Sequence, residues 1–365
     1  MCRRTVLLTG ATGFIGGHVL DELLRRGLRV RCTARSYKKA ERMLADRAAD
    51  RARIEVVYVR DLSNPGVFDE AVKGVDAIVH TASVSGVLFC HSPHIDLTLM
   101  PVYYDIQDNE KELMRPAIVG TESVLSAALR EPSVRRIVIT SSFAAVFDAS
   151  HGLRPGYVYT AADWNPITYE EGAAPGTSPI LGYRAGKKFA ELAAWKCVRP
   201  DIGDPRAPRP HFDVVTLCPP MVFGPVVHPV ARLADLNDSN ADLWGVTARD
   251  PLPVPRVPCW VDVRDLAAAH VEALLRPEVG NRRYTVAAPE HFTYQRAADI
   301  ARREFEWART VVTKGNEGEA MPEAFYVDGE AAGRELGVTY RKFEETVVDA
   351  MRQFRQIQLQ ELQEE

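Results

Sequence analysis

Short apolar runs rich in Val, Ile and Leu recur along the chain, and the stretches between them place apolar residues at helical spacing. The runs fall at Thr5–Thr9, Leu28–Thr33 and residues 54–60, 77–82, 135–141, 212–218 and 282–287. Runs this short without polar alternation predict strands buried on both faces, and helices between them predict parallel crossover connections. The fold class is therefore α/β, built on a doubly wound parallel sheet. Between Asn109 and Arg130, Leu113, Ala117, Val124 and Ala128 form a helical apolar stripe that reads as core.

The first run leads directly into Gly10-Ala11-Thr12-Gly13-Phe14-Ile15-Gly16-Gly17, and a helical pattern starts at His18. Glycines between a strand and a helix suit a dinucleotide pyrophosphate. Gly10 allows the sharp turn, Gly13 lets backbone approach the phosphates, and Gly16 lets the helix pack closely with its N-terminus facing the anion. Thr12, Phe14 and Ile15 belong to the same turn. The spacing is G-x-x-G-x-x-G rather than G-x-G-x-x-G, and its placement between strand and helix is what makes it specific.

The second run ends in Ala34-Arg35-Ser36-Tyr37-Lys38-Lys39. An NAD-binding unit carries an acidic residue here for the ribose 2′-hydroxyl. Arg35 and Lys39 instead match a 2′-phosphate, which favours NADP(H). Asp61 closes the third run, where a carboxylate can accept a hydrogen bond from adenine. His80-Thr81-Ala82-Ser83 closes the fourth, with small residues against which a dinucleotide can lie.

Tyr183 and Lys187 are four residues apart on a predicted helix, so phenol and ammonium share one face. A nearby cation favours phenolate and suits the tyrosine to exchange a proton with a carbonyl oxygen during hydride transfer. Ser142 ends the fifth run, where its hydroxyl can bond the same oxygen.

Composition narrows the partners without adding any. Of 365 residues, 46% are hydrophobic, which is ample for a large core, and the formal charge of −4 leaves no footprint for nucleic acid or an anionic membrane. The six cysteines, at 2, 32, 90, 197, 218 and 259, have no C-x-x-C spacing and read as reduced thiols rather than a disulfide or zinc framework. His91 and His94 lack a third ligand at a recognised spacing, so no metal is expected. The glycines interrupting Val6–Leu20 exclude a secretion signal or a membrane span, and the expected location is cytoplasmic.

With these pieces in order, the chain resembles the extended short-chain dehydrogenase/reductases, and within them the branch of dihydroflavonol 4-reductase, cinnamoyl-CoA reductase and the fungal aldehyde and methylglyoxal reductases. The matching stretches are Leu8–Gly16, Ala34–Ala40, His80–Ser83, Thr140–Ser142, Tyr183–Glu191, Pro219–Pro225 and Trp260–Asp265. The resemblance implies a Rossmann domain with a Ser142, Tyr183 and Lys187 triad, Arg35 and Lys39 on the 2′-phosphate, and Asp61 and Leu62 near adenine. It also implies Pro219 and Val222 flanking the nicotinamide, Lys187 on the nicotinamide ribose, and a structural role for Val261–Asp265. Where many extended members place an Asn before the Gly-Thr of the helix preceding the catalytic strand, this chain has Ala117-Ile118-Val119 before Gly120-Thr121. That departure counts against a sugar-nucleotide epimerase more than against catalysis.

The expected division is a cofactor-binding domain of residues 1–219 plus 261–288, a smaller, mostly C-terminal substrate-binding domain of 220–260 plus 289–350, and a tail at 351–365, a frayed helix or disordered. Residues 84–107 carry Phe89, His91, His94, Met100, Tyr103 and Tyr104 and form either a lid over the crevice or an insertion packed by its own side chains. The stretch 147–179 borders the crevice, and the proline-rich residues 199–211 read as a surface connection. Phe143, Met221 and Phe223 are the candidate substrate contacts. The expected activity is NADPH-dependent reduction of a hydrophobic or aromatic ketone or aldehyde, such as a polyketide-like intermediate. A sugar-nucleotide epimerase or dehydratase and a non-catalytic NADP-sensing regulator are the alternatives, and the choice between monomer and homodimer stays open.

Overall fold

The computed structural model describes residues 4–62, 64, 66–82, 106–199 and 209–364. Its strands are β1 Thr5–Thr9, β2 Arg29–Ala34, β3 Ile54–Tyr58, β4 Ala77–His80, β5 Arg136–Thr140, β6 Val158–Tyr159, β7 Asp213–Cys218, β8 Met221–Phe223, β9 Trp260–Asp262, β10 Arg282–Thr285 and β11 Tyr326–Val327. Seven of them make one sheet in the order β10-β7-β5-β4-β1-β2-β3. Every neighbouring pair is parallel. Each of the seven coincides with a predicted apolar run. The order reverses between β1 and β4, so their crossovers leave in opposite directions and open a crevice at the carboxyl ends of the strands.

The principal helices are α1 Phe14–Arg25, α2 Tyr37–Ala45, α3 Arg115–Arg130, α4 Pro179–Val198, α5 Val263–Leu275 and α6 Phe343–Glu364. α1 packs on α5 over one face of the sheet, and α3 packs on α4 over the other. Alternate residues of each strand supply the two faces. Leu8 and Val79 join the α1/α5 core, whereas Leu7 and Ile78 join the α3/α4 core.

α1 begins at Phe14, four residues before the predicted start at His18. Gly16 and Gly17 weaken the helical signal in the sequence, but both are buried in the first turns of α1. A side chain at Gly16 would place its Cβ 2.0 Å from the Gly10 carbonyl oxygen. Close packing of the helix against the glycine turn, not propensity, sets that residue.

Outside the main sheet, two separate short parallel pairs form, β8 with β9 and β6 with β11. Residues 351–364 are not a tail. They continue α6, and Met351, Phe354 and Ile357 enter the same core as α1 and α5. Val261–Asp265 is structural, as expected. Asp262 caps α5 through the Arg264 amide at 2.8 Å and accepts a bond from the Thr346 hydroxyl at 2.6 Å, while Arg264 reaches Asp349. Among the described cysteines, Cys32, Cys197, Cys218 and Cys259 are free. Burial pushes the thiols of Cys32, Cys218 and Cys259 up to about 12.

Candidate active site

At the mouth of the crevice, Gly10 adopts φ +77°, and a Cβ there would lie 2.8 Å from the Ala82 nitrogen. Glycine is required by both conformation and space. The ends of β1 and β4 are fastened together here. The Thr81 hydroxyl donates to the Thr9 carbonyl at 2.7 Å, and the Ala82 amide donates to the Thr9 hydroxyl at 3.2 Å. Gly13 caps α1 with no side-chain hydrogen bond, and the first turn carries no acidic residue. The amides of Phe14 and Ile15 therefore present an unneutralised helix N-terminus, with Thr12 half-buried beside it. Phe14 itself faces the core, so its contribution is backbone.

At the end of β2, Arg35 is exposed, and Ser36 caps α2 through the Lys39 amide. Neither the Arg35 guanidinium nor the Lys39 ammonium reaches a carboxylate among the described residues, unlike Arg47, which is paired to Asp21 at 2.6 Å. Two solvent-facing cations at the end of β2, with the uncapped N-terminus of α1 after the neighbouring β1, fit a dinucleotide that carries a 2′-phosphate. Asp61 is exposed just beyond β3, and Leu62 lines a cavity that reaches Lys187. Ser83 and residues 84–105 lie outside the described residues, and so do Phe89, His91, His94, Met100, Tyr103 and Tyr104.

Tyr183 and Lys187 stand in successive turns of α4, both half-buried, with the ammonium nitrogen 5.9 Å from the phenol ring centroid. Glycines let this helix approach closely. A Cβ at Gly182 would lie 2.4 Å from the Asn109 side chain, and one at Gly186 would be 3.3 Å from the Leu113 carbonyl. α4 also packs on the one-turn helix Phe143–Ala145, which Ser142 caps. The Ser142 hydroxyl oxygen accepts from the Ala144 amide at 3.1 Å, a bond that does not use the hydroxyl proton. The Lys187 cavity is also lined by His80, Ala82, Thr140 and Ser141. Burial, and then the Lys187 charge, push His80 down to about 4, so a neutral imidazole faces the ammonium.

Residues 6–98 match the model of the NAD dependent epimerase/dehydratase family. An oxidoreductase of Schizosaccharomyces pombe is 37% identical over 350 residues, with 96% of each chain covered. The ketoreductase azaE of Aspergillus niger is 34% identical over 360 residues, covering 95% of this chain and 96% of azaE. The chain belongs to the extended short-chain dehydrogenase/reductases. Among solved structures, yeast methylglyoxal/isovaleraldehyde reductase Gre2 complexed with NADPH is similar at TM-score 0.80 and 28% identity, covering 98% of this chain and 99% of that one.

In this short-chain dehydrogenase/reductase, the face of α4 that carries Tyr183 and Lys187 continues one turn further to Glu191, a residue that sequence reasoning did not single out. Its carboxylate is fully buried and accepts from Ser141 at 2.7 Å, Thr216 at 2.7 Å, Trp195 at 3.1 Å and Arg283 at 2.8 and 3.1 Å. Burial alone would raise the Glu191 carboxyl, but the Arg283 charge and the converging donors hold it below its ordinary value. Arg283 also donates to the Ala161 carbonyl at 2.9 Å and lies 3.7 Å from the Trp164 ring centroid. One buried ion pair thus joins α4, β5, β7, β10 and the 144–164 segment. The spacing of Glu191 four residues after Lys187 was the available signal.

Two candidate substrate contacts are corrected by the structure. Phe143 is 2% exposed and sits in an aromatic cluster with Phe147, Tyr159 and Phe325. Phe223 is fully buried against Phe292 and Phe343. Both rings pack inward because burial against these aromatic partners removes their apolar surface from water, and the backbone beside them is held as well. The Phe143 amide donates to the Pro219 carbonyl at 2.9 Å, and Phe223 pairs in register with Asp262. Met221 stays half-buried at the start of β8, and Val222 is 7% exposed. Ala117, expected as core, instead lines the Lys187 cavity with Gly120. The stretch 147–179 is pinned to the turn after Ser142 by Asn165, whose side-chain amide donates to the Ala144 carbonyl at 3.0 Å.

Proposed function

We propose that this protein reduces ketones or aldehydes, with Ser142, Tyr183 and Lys187 as its catalytic residues. It is an NADP-dependent oxidoreductase acting on carbonyl groups. The observation that supports the site assignment is the placement of Tyr183 and Lys187 on one face of α4, which packs on the one-turn helix capped by Ser142. Gly10, Gly13 and Gly16 with the α1 N-terminus hold the pyrophosphate, Arg35 and Lys39 the 2′-phosphate, Asp61 and Leu62 the adenine, and Thr81, Ala82 and Ser83 the backbone-facing edge. Pro219 and Val222 border the nicotinamide, and Lys187 binds its ribose. When bound, the reduced nicotinamide supplies hydride.

Everything else is done by side chains of this chain. Ser142 donates a hydrogen bond to the substrate oxygen and holds it toward Tyr183. Tyr183 delivers its phenolic proton to that oxygen as negative charge develops, and the Lys187 ammonium stabilises the phenolate left behind. The finer reading, a ketone on a hydrophobic, polyketide-like framework, is supported by the likeness to the ketoreductase azaE. The half-buried Met221, two residues after Pro219, supplies an apolar wall on this reading.

Cofactor oxidation by the purified protein, with NADPH or NADH and a panel of aliphatic and aromatic aldehydes and ketones, tests this reading. NADPH turnover is expected, with Tyr183→Phe lowering kcat by about 10²–10⁴-fold. Turnover that survives in Tyr183→Phe would remove the tyrosine from its assigned role.

A further inference from the structure

Immediately after the catalytic tyrosine, α4 presents Arg184, and its surroundings differ from those of the other inward-facing arginines. Arg47, Arg136, Arg264 and Arg283 each hold a carboxylate: Asp21, Asp213, Asp262 and Glu191. Arg184 is half-buried, and its guanidinium carbon lies 5.0 Å from the Phe147 ring centroid, with no carboxylate in contact among the described residues. Burial, and then the charge of a second cation, Arg256, disfavour its guanidinium charge. Arg256 is exposed and likewise holds no carboxylate, and the adjacent Val257 packs on the aromatic cluster that contains Phe143 and Phe147.

The Tyr183 helix packs against the one-turn helix that Ser142 caps, and Arg184 reaches Phe147 two residues beyond that turn. A partly desolvated guanidinium is costly unless an anion or several acceptors meet it, and here the neighbouring charge adds repulsion. The Phe147 face offsets only part of that, since a cation–π contact contributes about 0.5–2 kcal/mol. A ligand oxyanion would satisfy the Arg184 fork and relieve its repulsion with Arg256.

We propose that Arg184, assisted by Arg256, binds an anionic group, a carboxylate or a phosphate, carried by the carbonyl substrate. The inference rests on the reading of Ser142 and Tyr183 as the reacting pair, and it adds a charged end to the substrate class proposed above.

The test compares 4-formylbenzoate, its neutral methyl ester and 4-formylphenyl phosphate as substrates with NADPH, in the wild type, Arg184→Met, Arg184→Lys and Arg256→Ala. The wild type is expected to favour one or both anions over the ester in kcat/KM by about 10-fold or more, mainly through KM, with the preference shrinking as salt rises. Arg184→Met is expected to bring the anion-to-ester ratio close to one, Arg184→Lys to retain part of it, and Arg256→Ala to reduce it. Which anion leads tells carboxylate from phosphate. An unchanged ratio in Arg184→Met, or a wild type that favours the ester, overturns the inference while ester turnover leaves the carbonyl-reductase reading intact. Calorimetric binding of benzoate against benzyl alcohol to the NADPH-loaded protein decides the inference even if none of the three aldehydes turns over. Benzoate is expected to bind the wild type more tightly than benzyl alcohol and to lose that advantage in Arg184→Met. Equal binding of both by the wild type overturns the inference.

Discussion

On the proposed assignment, discrimination between the two nicotinamide cofactors rests on Arg35 and Lys39 at the end of β2. Arg35 and Lys39 are exposed cations with no carboxylate partner among the described residues, so a 2′-phosphate meets them without first breaking an ion pair to any of these. A hydrogen bond to a charged group contributes about 1.5–3 kcal/mol, or roughly 10–100-fold in affinity. Arg35→Ala should weaken NADPH binding by that factor and leave NADH binding nearly unchanged, as read by fluorescence titration of each cofactor. Equal losses for the two cofactors would place Arg35 elsewhere. The same residue scale explains why the aromatic substrate contacts failed as predictions. A sequence shows that Phe143 and Phe223 adjoin site residues, but not that each ring turns away into a cluster completed by residues such as Phe325 and Phe343, far along the chain.

At the scale of elements, the proposed roles of Tyr183 and Lys187 require α4 to keep its register against the ends of β5 and β7. The Glu191–Arg283 pair is the main polar tie that does so, since it reaches Ser141 on the approach to Ser142 and Thr216 on β7. Removing one partner of a buried pair leaves an uncompensated charge and costs about 3–5 kcal/mol. Glu191→Leu and Arg283→Met should each lower unfolding stability by that order. The double variant should lose less than the two singles added together, with a coupling above about 1 kcal/mol in denaturant melts. Strict additivity would show that the two groups do not act as a pair. Legibility followed the same division between local and distant causes. Seven strands, the glycine turn and the i, i+4 tyrosine and lysine were readable because each rests on local periodicity or spacing. The two-residue pairing of β6 with β11 and the contact of Glu191 with Arg283, ninety-two positions apart, depend on tertiary contacts that no local pattern encodes.

Taken as one cooperative unit, the molecule buries several histidines that must remain neutral. The α1/α5 core extends without a break from β1 to Ile357 in α6, so local ionisation is coupled to global stability. Burial pushes His270 down to about 4, where Nδ1 donates to the Leu266 carbonyl at 2.8 Å and Nε2 therefore accepts from the Thr140 hydroxyl at 2.6 Å. His80 and His228 are also pushed down to about 4, chiefly by burial, and His18 is lowered. An unfolded histidine titrates near ~6.5, so between about pH 6.5 and 4 the unfolded chain binds protons that the folded chain refuses. Stability from these groups is fully present above about pH 6.5 and is lost as pH falls toward 4. Asp265 works in the opposite sense: burial pushes its carboxyl up to about 6, so the folded state holds a proton there that the unfolded state releases. Three histidines against one carboxyl leave a net uptake of roughly two protons on unfolding near pH 5, a slope of roughly 2–3 kcal/mol per pH unit. Denaturant melts between pH 7 and pH 5 should show that decline, and His270→Asn should flatten it by about one proton. A flat profile across that interval would mean that the imidazoles become protonated in the folded protein, which their buried positions beside Lys187, Lys39 and Leu266 do not favour.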